Sequence, residues 1–464
     1  MTASENPAAG SWRELFGPRY GRAVAVLAGG VALYATNEFL VVSLLPSTVA
    51  DIGGARLYAW VTSVYLVASV AAATTVGGLL RRFGPRNAYL GALTVFAAGS
   101  AACALAPTME LLLAGRAVQG VGGGVLAGLG YAVINAALPP HLWTRASALV
   151  STMWGVGSLT GPATGGLFAQ LELWRWAFWT LVAFTAVMAV SVPLALPVRT
   201  ADPEDSEPMR VPVWSLLLLG VAALVVSTAG LPRQWWGTAA LLAAGVGLLA
   251  VFVVVDRRAT VAVLPPTAYR PGPLKWMYAT LGLLMAVTMV DMYVPLFGQR
   301  LAGLAPLAAG FLAITLSAGW TGGELVSASA GRPALVRRIV ATAPAVMAVG
   351  LGLAALTQRA DAGLGLVVVW AVAFTVTGVG IGIAWPHLSA WVMGGVDDPE
   401  EGGTAAAAIN TVQLICGAFG AGLAGVVVNL TDDGGAAPAR AMFGVFAVLA
   451  LAGLFASVRS VARR

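Results

Sequence analysis

Residues 23–46 read AVAVLAGGVALYATNEFLVVSLLP, an apolar run that contains one charged residue, Glu38. A helix needs about 20 predominantly apolar residues to cross the hydrocarbon core of a bilayer. The run therefore predicts a transmembrane helix. It is too long for the apolar part of a signal peptide, and no small-residue cleavage site follows it, so we expect it to stay in the membrane.

The composition of the whole chain agrees with a membrane protein. Its 464 residues are 59% hydrophobic and 10% charged, whereas soluble domains have about 45–50% apolar and about 25% charged residues. This balance excludes an ordinary soluble enzyme and a disordered chain. The basic residues are spread over many short segments, which argues against nucleic-acid binding. Two cysteines in apolar runs, Cys103 and Cys416, cannot build a disulfide framework or a Cys-rich metal site, and we predict no metal.

Apolar runs of this kind recur along the chain and predict an all-α polytopic membrane protein with fourteen transmembrane helices. The predicted spans are 23–46, 57–80, 87–106, 109–134, 145–169, 175–196, 213–231, 236–255, 274–297, 304–328, 337–357, 363–388, 404–430 and 439–458. An even number places both termini on one side, and most of the 26 basic residues fall on that side. Cytoplasmic loops are rich in Lys and Arg. We therefore predict a multi-pass protein of the inner (plasma) membrane with cytoplasmic termini.

A weak internal repeat relates the two halves of the chain, as in many transporters. Spans 5 and 13 carry Thr and Gly residues with equal spacing, and spans 2 and 10 both end in Gly-x-Leu. The matched positions are Thr152, Gly161 and Gly166 with Thr411, Gly420 and Gly425, and Gly77 and Leu79 with Gly323 and Leu325. The predicted organisation is an N-terminal six-helix lobe (1–198), an acidic cytoplasmic linker (199–212), two inserted helices (213–255) and a C-terminal six-helix lobe (256–464).

Charged side chains at membrane depth are costly and indicate function by default. Four such residues are predicted to couple transport to protons: Glu38, Arg116, Asp291 and Glu324. The helical rise of about 1.5 Å per residue places the first three at similar heights in the outer half of the membrane. The repeat makes Glu38 and Asp291 equivalent, and it matches Glu324 with Gly78 near the cytoplasmic end. A static buried ion pair is the alternative for Glu38 and Arg116, and a position near the outer interface is the alternative for Asp291.

Polar and aromatic residues of the spans are candidates for a substrate cavity. They are Tyr34, Asn37, Tyr65, Gln119, Trp154, Trp320, Asn410 and Gln413. Asn410 and Gln413 are three residues apart, so they share one helix face. Hydrogen bonding between helices is the alternative for the amides, and contact with lipid or the core is the alternative for the aromatic residues.

Four motifs carry a family resemblance. Residues 77–86 (GGLLRRFGPR) resemble the loop 2–3 signature of the major facilitator superfamily, and residues 116–123 (RAVQGVGG) resemble its span 4 signature. Residues 157–166 (GSLTGPATGG) resemble its span 5 antiporter motif, and residues 174–179 (WRWAFW) are similar to the start of span 6 in drug exporters. With fourteen predicted spans, the whole chain resembles the fourteen-span drug:proton antiporter subfamily.

The resemblance implies that these motifs govern conformational change. The residues concerned are Gly77, Gly84, Arg86, Gly157, Gly161, Pro162, Gly165 and Gly166. Pro162 lacks an N–H group and disrupts the helix at the preceding turn, and the flanking glycines let another backbone approach closely. The chain departs from the family at Arg81, where the family usually has Asp, and this puts the cytoplasmic latch that the Asp serves in doubt.

The resemblance also implies a function: a secondary active exporter that exchanges hydrophobic drugs or toxic metabolites, cationic ones included, for protons by alternating access. It would need no cofactor beyond the proton gradient, lie in the lipid bilayer and act as a monomer. The alternatives are export of a lipid or cell-envelope precursor, proton-coupled solute import and, less favoured, a membrane-embedded enzyme or sensor. The absence of G-x-x-x-x-G-K-[ST] argues against ATP drive, and the two isolated histidines, His141 and His387, argue against a metalloenzyme.

Overall fold

The computed structural model describes residues 12–133, 138–139, 142–196, 212–232, 234–328, 330, 332–396, 402–432 and 434–461. These residues are almost entirely helical, as predicted. A single-turn helix, Trp12–Leu15, precedes the long helices. The long helices are α1 (Gly21–Ile52), α2 (Tyr58–Ala73), α3 (Val76–Leu105), α4 (Met109–Ala132), α5 (Trp143–Gln170), α6 (Trp174–Ala195), α7 (Val213–Thr228), α8 (Trp235–Arg258), α9 (Leu274–Thr288 and Val294–Ala302, joined by the 3-10 segment Met289–Tyr293), α10 (Pro306–Ala328), α11 (Pro333–Thr357), α12 (Leu364–Met393), α13 (Gly402–Thr431) and α14 (Ala437–Val461).

Eleven helical segments within the described ranges are long and apolar enough to cross a membrane, so the chain is a polytopic membrane protein. They are α1 to α4, α6, α8, α9 and α11 to α14. The other three long helices, α5, α7 and α10, coincide with predicted spans but are too short or not apolar enough to be counted among the eleven. Helix α7 is an apolar helix of only 16 residues. Most of the predicted linker 199–212, the acidic loop 397–401 and His141 lie outside the described residues.

The helices pack as two bundles with the same internal pairing. In the first bundle, α1 packs on α5, α2 on α4, and α3 on α4 and α6. In the second bundle, α9 packs on α13, α10 on α12, and α11 on α12 and α14. The bundles meet where α5 contacts α10 and where α2 contacts α13. The hairpin of α7 and α8 lies against this second contact, because α7 packs on both α2 and α13.

Close glycine contacts fix how the two halves correspond. Gly120 of α4 packs against the Tyr65 carbonyl of α2, and Gly378 of α12 packs against the Leu316 carbonyl of α10. A second pair of contacts, Gly124 with Ser69 and Gly382 with Trp320, has the same shift along the chain. By this register the counterpart of Glu324 is Ala73.

The predicted match of Glu324 with Gly78, and of Gly323 with Gly77, is therefore wrong. Helix α2 ends at Ala73, and Gly77 lies in the first turn of α3 rather than at the end of span 2. The hydroxyl groups of Thr74 and Thr75 donate to the carbonyls of Ala71 and Ala72, which favours a turn over continued helix. In a chain with 57 glycines, a short Gly-x-Leu match arises readily by chance.

The loop 2–3 motif forms a kink rather than a separate loop. Gly84 has φ 70° and ψ 169° inside α3, and Pro85 follows it. A residue with a Cβ rarely adopts a positive φ, so the glycine is required for this bend. Arg81 is exposed on the segment before the kink, and Arg86 is half-buried just after it.

Candidate functional site

A cavity of about 260 Å³ lies between the two bundles. Three acidic residues line it: Glu38 of α1, Asp291 of the 3-10 segment of α9 and Glu324 of α10. Among the described residues, no Arg, Lys or His contributes to its wall. The site is therefore acidic, and three of the four residues predicted to couple protons lie together in it.

Glu38 lies in this wall without an ion pair to a basic side chain of the described residues. Its Oε2 atom is buried and has no hydrogen-bond partner. Ion pairs in the described part of the chain include Arg175–Asp51 and Arg300–Asp432, and none there joins Glu38 to Arg116. The predicted alternative of a static ion pair between Glu38 and Arg116 is therefore wrong for this conformation.

Arg116 is instead bound inside the first bundle. Its side chain is 1% exposed. The guanidinium donates to the Val61 carbonyl (3.2 Å), to Asn37 Oδ1 (3.4 Å) and to Gln119 Oε1, and it lies 4.0 Å from the centre of the Tyr65 ring. This arrangement ties α1, α2 and α4 together one layer behind the cavity wall.

Four of the residues predicted to line the cavity belong to the same buried layer. Tyr34, Asn37, Tyr65 and Gln119 are each 0–1% exposed and are not among the cavity residues. Tyr34 stacks on Tyr65 and meets the cavity residue Trp154 edge-on, with ring centroids 5.5 Å apart. The prediction that these four line the cavity is therefore corrected: they support its wall from behind.

The other four predicted cavity residues do lie in the wall. Trp154 comes from α5, Trp320 from α10, and Asn410 and Gln413 from α13. The Trp320 ring packs against that of Trp385, with centroids 5.5 Å apart, so aromatic faces stand beside the carboxyl groups. Further residues of the wall escaped sequence analysis because an apolar or hydroxyl residue in a span carries no signal of its orientation. They are Phe39, Gly155, Ser158, Met285, Thr288, Met289, Leu316, Ser317, Thr321 and Trp385.

Asp291 lies in an interruption of α9. The 3-10 segment Met289–Tyr293 separates the two helical parts, and its backbone is held by the other bundle: Tyr58 Oη donates to the Met292 carbonyl (3.1 Å), and the Tyr58 ring stacks on Tyr293 at 4.7 Å. Asp291 therefore lines the cavity next to a contact between the bundles, rather than lying at the outer interface.

Glu38 and Asp291 are not equivalent positions. Gly161 of α5 packs against the Thr36 carbonyl, and its counterpart Gly420 of α13 packs against the Ala286 carbonyl. This pairing makes Thr288 the counterpart of Glu38. The predicted equivalence is thus wrong by three residues, about one helical turn.

The glycines of the α5 motif bring α1 close to α5. A Cβ atom on Gly157 would lie 2.5 Å from the Ala35 Cβ, and one on Gly161 would lie 2.6 Å from the Phe39 Cβ. Gly165 packs on the Leu40 carbonyl of the same helix. The motif therefore sets the position of the stretch of α1 that carries Glu38.

The same motif also reaches the other bundle. A Cβ atom on Gly166 would lie 2.8 Å from the Leu307 Cα of α10, and the Pro162 carbonyl lies beside Gly310. This contact and the stacking of Tyr58 on Tyr293 occur where α1 ends and α2 begins, which we call the far side. We call the opposite side, where α1 begins and α14 ends, the terminal side. The bundles are thus held together at the far side, beyond Glu38 and Asp291.

Comparison with known proteins shows which family this sequence matches. The sequence profile of the Major Facilitator Superfamily matches residues 27–421. A protein of Mycobacterium tuberculosis strain H37Rv named "Probable multidrug-efflux transporter" is 59% identical over 466 residues, covering 100% of this chain and 98% of that protein.

Solved structures share the fold. A POT family transporter in complex with 5-aminolevulinic acid superposes with a TM-score of 0.68 at 11% identity, covering 96% of both chains. The nucleoside transporter NupG superposes with a TM-score of 0.65 at 12% identity, covering 96% of this chain and 99% of that chain. Likeness at such low identity concerns the fold alone.

Proposed function

Because the chain belongs to the Major Facilitator Superfamily, and is therefore a transporter rather than an enzyme, we propose that it exports hydrophobic cationic drugs or metabolites from the cell in exchange for protons. The observation that carries this proposal is the cavity between the bundles, which is lined by Glu38, Asp291 and Glu324 without a basic residue among its described lining residues. The name of the 59% identical relative supports efflux of drugs.

The cavity wall suits an organic cation. Carboxylate groups attract positive charge in a site that excludes most water, and the faces of Trp rings bind cations within about 6 Å of their centres. Trp154, Trp320 and Trp385 also offer apolar surface to the rest of such a molecule. An anion or a lipid phosphate would instead meet three acidic groups, which disfavours it.

Exchange follows from the cost of burying a carboxylate. At membrane depth an ionised carboxyl group without a partner is unfavourable, and either a proton or a bound cation removes that cost. A cation that enters the cavity therefore displaces the proton, and a proton that enters displaces the cation. Closure at the far side supports a state in which the cavity is reached from the terminal side, and separation of the bundles at the far side would release the cation there.

The proposal is tested with purified protein in proteoliposomes. We expect tetraphenylphosphonium to accumulate in vesicles with an acidic lumen, and the lumen to become more alkaline as it does so, with the membrane potential clamped by valinomycin and potassium. Protein-free vesicles give the background. Accumulation that does not depend on the pH gradient would contradict antiport, and transbilayer movement of a fluorescent lipid in its place would favour the lipid-exporter alternative.

We also propose that the chain crosses the plasma membrane fourteen times, with cytoplasmic termini, as two six-helix lobes (1–198 and 256–464), a linker (199–212) and an inserted helix pair (213–255), and that it acts as a monomer. Cysteine labelling in intact cells tests the topology. With the native cysteines replaced by Ala, we expect Leu171→Cys to react with a membrane-impermeant maleimide and Ser206→Cys to react only after permeabilisation. Reaction of Ser206→Cys from outside would contradict the fourteen-span arrangement.

A further inference from the structure

The inserted hairpin, α7 and α8 (Val213–Arg258), lies against the junction of the two bundles. Helix α7 contacts α2 of the first bundle and α13 of the second bundle, whereas α8 packs on α7. Alternating access requires the bundles to separate at the far side, so α2 and α13 must part. A helix that contacts both of them must then stay with one and leave the other.

Hydrogen bonds hold α7 to the first bundle. The Ser227 hydroxyl shares its proton between Ser63 Oγ (3.1 Å) and the Ala223 carbonyl of its own helix (3.0 Å), and Trp60 Nε1 donates to the Ser227 carbonyl (3.1 Å). The guanidinium of Arg56 donates to the Leu231 carbonyl at the end of the hairpin's first helix. Several directed bonds of this kind resist sliding and separation, because each lost partner leaves a polar group unsatisfied in an apolar setting.

Two of the close contacts between α7 and α13 involve a glycine. A Cβ atom on Gly422 of α13 would lie 2.6 Å from Ser227 Oγ, and one on Gly230 would lie 3.0 Å from the Val426 Cα. Glycine gives a smooth surface without side-chain bonds, so two helices can pack there and separate at little cost. The Ser63 hydroxyl, which accepts from Ser227, donates in turn to the Ala418 carbonyl of α13 (3.3 Å).

We propose that the inserted hairpin is a clasp that moves with the first bundle and closes the far side by seating Ser227 on Gly422 of the second bundle. Because Gly422 has no side chain, Ser227 can pack directly against the backbone of α13 there. The hydroxyl of Ser227 also supports the hydrogen bond from Ser63 of the first bundle to the Ala418 carbonyl of the second bundle. The hairpin thereby stabilises the conformation in which the far side is closed. This inference goes beyond the proposed function and depends on the fold rather than on proton coupling.

The test measures distances between spin labels in the full chain, reconstituted in nanodiscs, with Cys103 and Cys416 replaced by Ala. Labels at exposed far-side positions report on each part: Leu171 on the first bundle, Ala360 on the second bundle and Gln234 on the hairpin. Gly422→Val places a branched side chain where Ser227 of α7 packs against α13. We expect about a tenfold rise in the ratio of open to closed far side, as the cost of overpacking implies.

In Gly422→Val the distances from Ala360 to Leu171 and to Gln234 should both lengthen, while the distance from Gln234 to Leu171 stays constant. The matched control is Gly352→Val, because a Cβ atom at Gly352 meets open space. It should leave all three distances unchanged. A hairpin that stays with Ala360 and leaves Leu171 would overturn the assignment to the first bundle, and unchanged distances would overturn the clasp.

A second pair of variants covers failure of Gly422→Val to fold. Gly422→Ala should open the far side to a smaller extent, because its methyl group meets Ser227 Oγ, whereas its control Gly352→Ala should leave the far side closed. Equal distances in Gly422→Ala and Gly352→Ala, with both proteins monodisperse, would also overturn the clasp. The readout needs no substrate, so a failure of the clasp is distinguishable from a failure of the proposed antiport.

Discussion

Glu38→Gln is expected to abolish export against a gradient and substrate-driven proton release while leaving the protein folded. Gln has nearly the size of Glu and keeps a hydrogen-bonding oxygen, but it cannot take up or release a proton. Because Glu38 Oε2 has no hydrogen-bond partner, the substitution breaks no bond of that oxygen. An uncharged group at this depth also avoids the cost of a buried carboxylate, so stability should be equal or higher. Exchange of substrate down its own gradient can survive.

The measurement is tetraphenylphosphonium uptake into proteoliposomes with an imposed pH gradient, together with a pH indicator in the lumen. The matched control is Glu110→Gln, which makes the same change at an exposed residue at the start of α4, and it should transport normally. If Glu38→Gln accumulates substrate with the normal ratio of protons to substrate, coupling lies elsewhere. Asp291 is then the first residue to test, as it lines the same cavity.

Arg116→Ala is expected to destabilise the folded protein by on the order of 3 kcal/mol, with loss of transport as a consequence. Removal of the guanidinium leaves the amide oxygens of Asn37 and Gln119 without this donor and leaves a void beside the Tyr65 ring. Buried polar groups that lose their partners cost more than the net gain of the original bonds. Thermal unfolding in detergent and the monodisperse fraction on size exclusion measure the effect.

Two further arginine variants serve as comparisons for the loss of stability in Arg116→Ala. Arg116→Lys keeps the charge but not the planar fork of donors, and we expect an intermediate loss of stability. Arg300→Ala removes an exposed ion pair with Asp432, and such pairs contribute about 0–1 kcal/mol. A fully stable Arg116→Ala protein that has lost only proton coupling would contradict the structural role and would return Arg116 to the coupling machinery.

Several features of the candidate site follow from sequence alone. The acids Glu38, Asp291 and Glu324 stand out because a charge within an apolar run is rare and costly. The pairing of Asn410 with Gln413 on one face follows from helical geometry, and both line the cavity. The glycines of the α5 motif were identified through their family resemblance, and the structure shows which helix each of them meets.

Other features depend on contacts between distant parts of the chain. Arg116 and Glu38 have similar predicted depths, which suggested that they face each other, yet rotation of their helices directs Arg116 toward Gln119 and Val61 instead. The register of the repeat failed for Glu324 and Asp291 because α2 ends early at Ala73 and α9 is interrupted at Met289–Tyr293. A spacing pattern does not report where a helix stops.

The helical membrane class, the major facilitator motifs and the carboxyl groups at membrane depth can all be read from the amino-acid sequence. These properties depend on local apolar content and on short motifs, since each spanning helix satisfies its own backbone hydrogen bonds. Contacts between distant helices determine which side chains share the cavity, which of them support it from behind, and that α7 bridges α2 and α13. Helix rotation and the choice of packing partner are set by close packing between helices, which local composition does not specify.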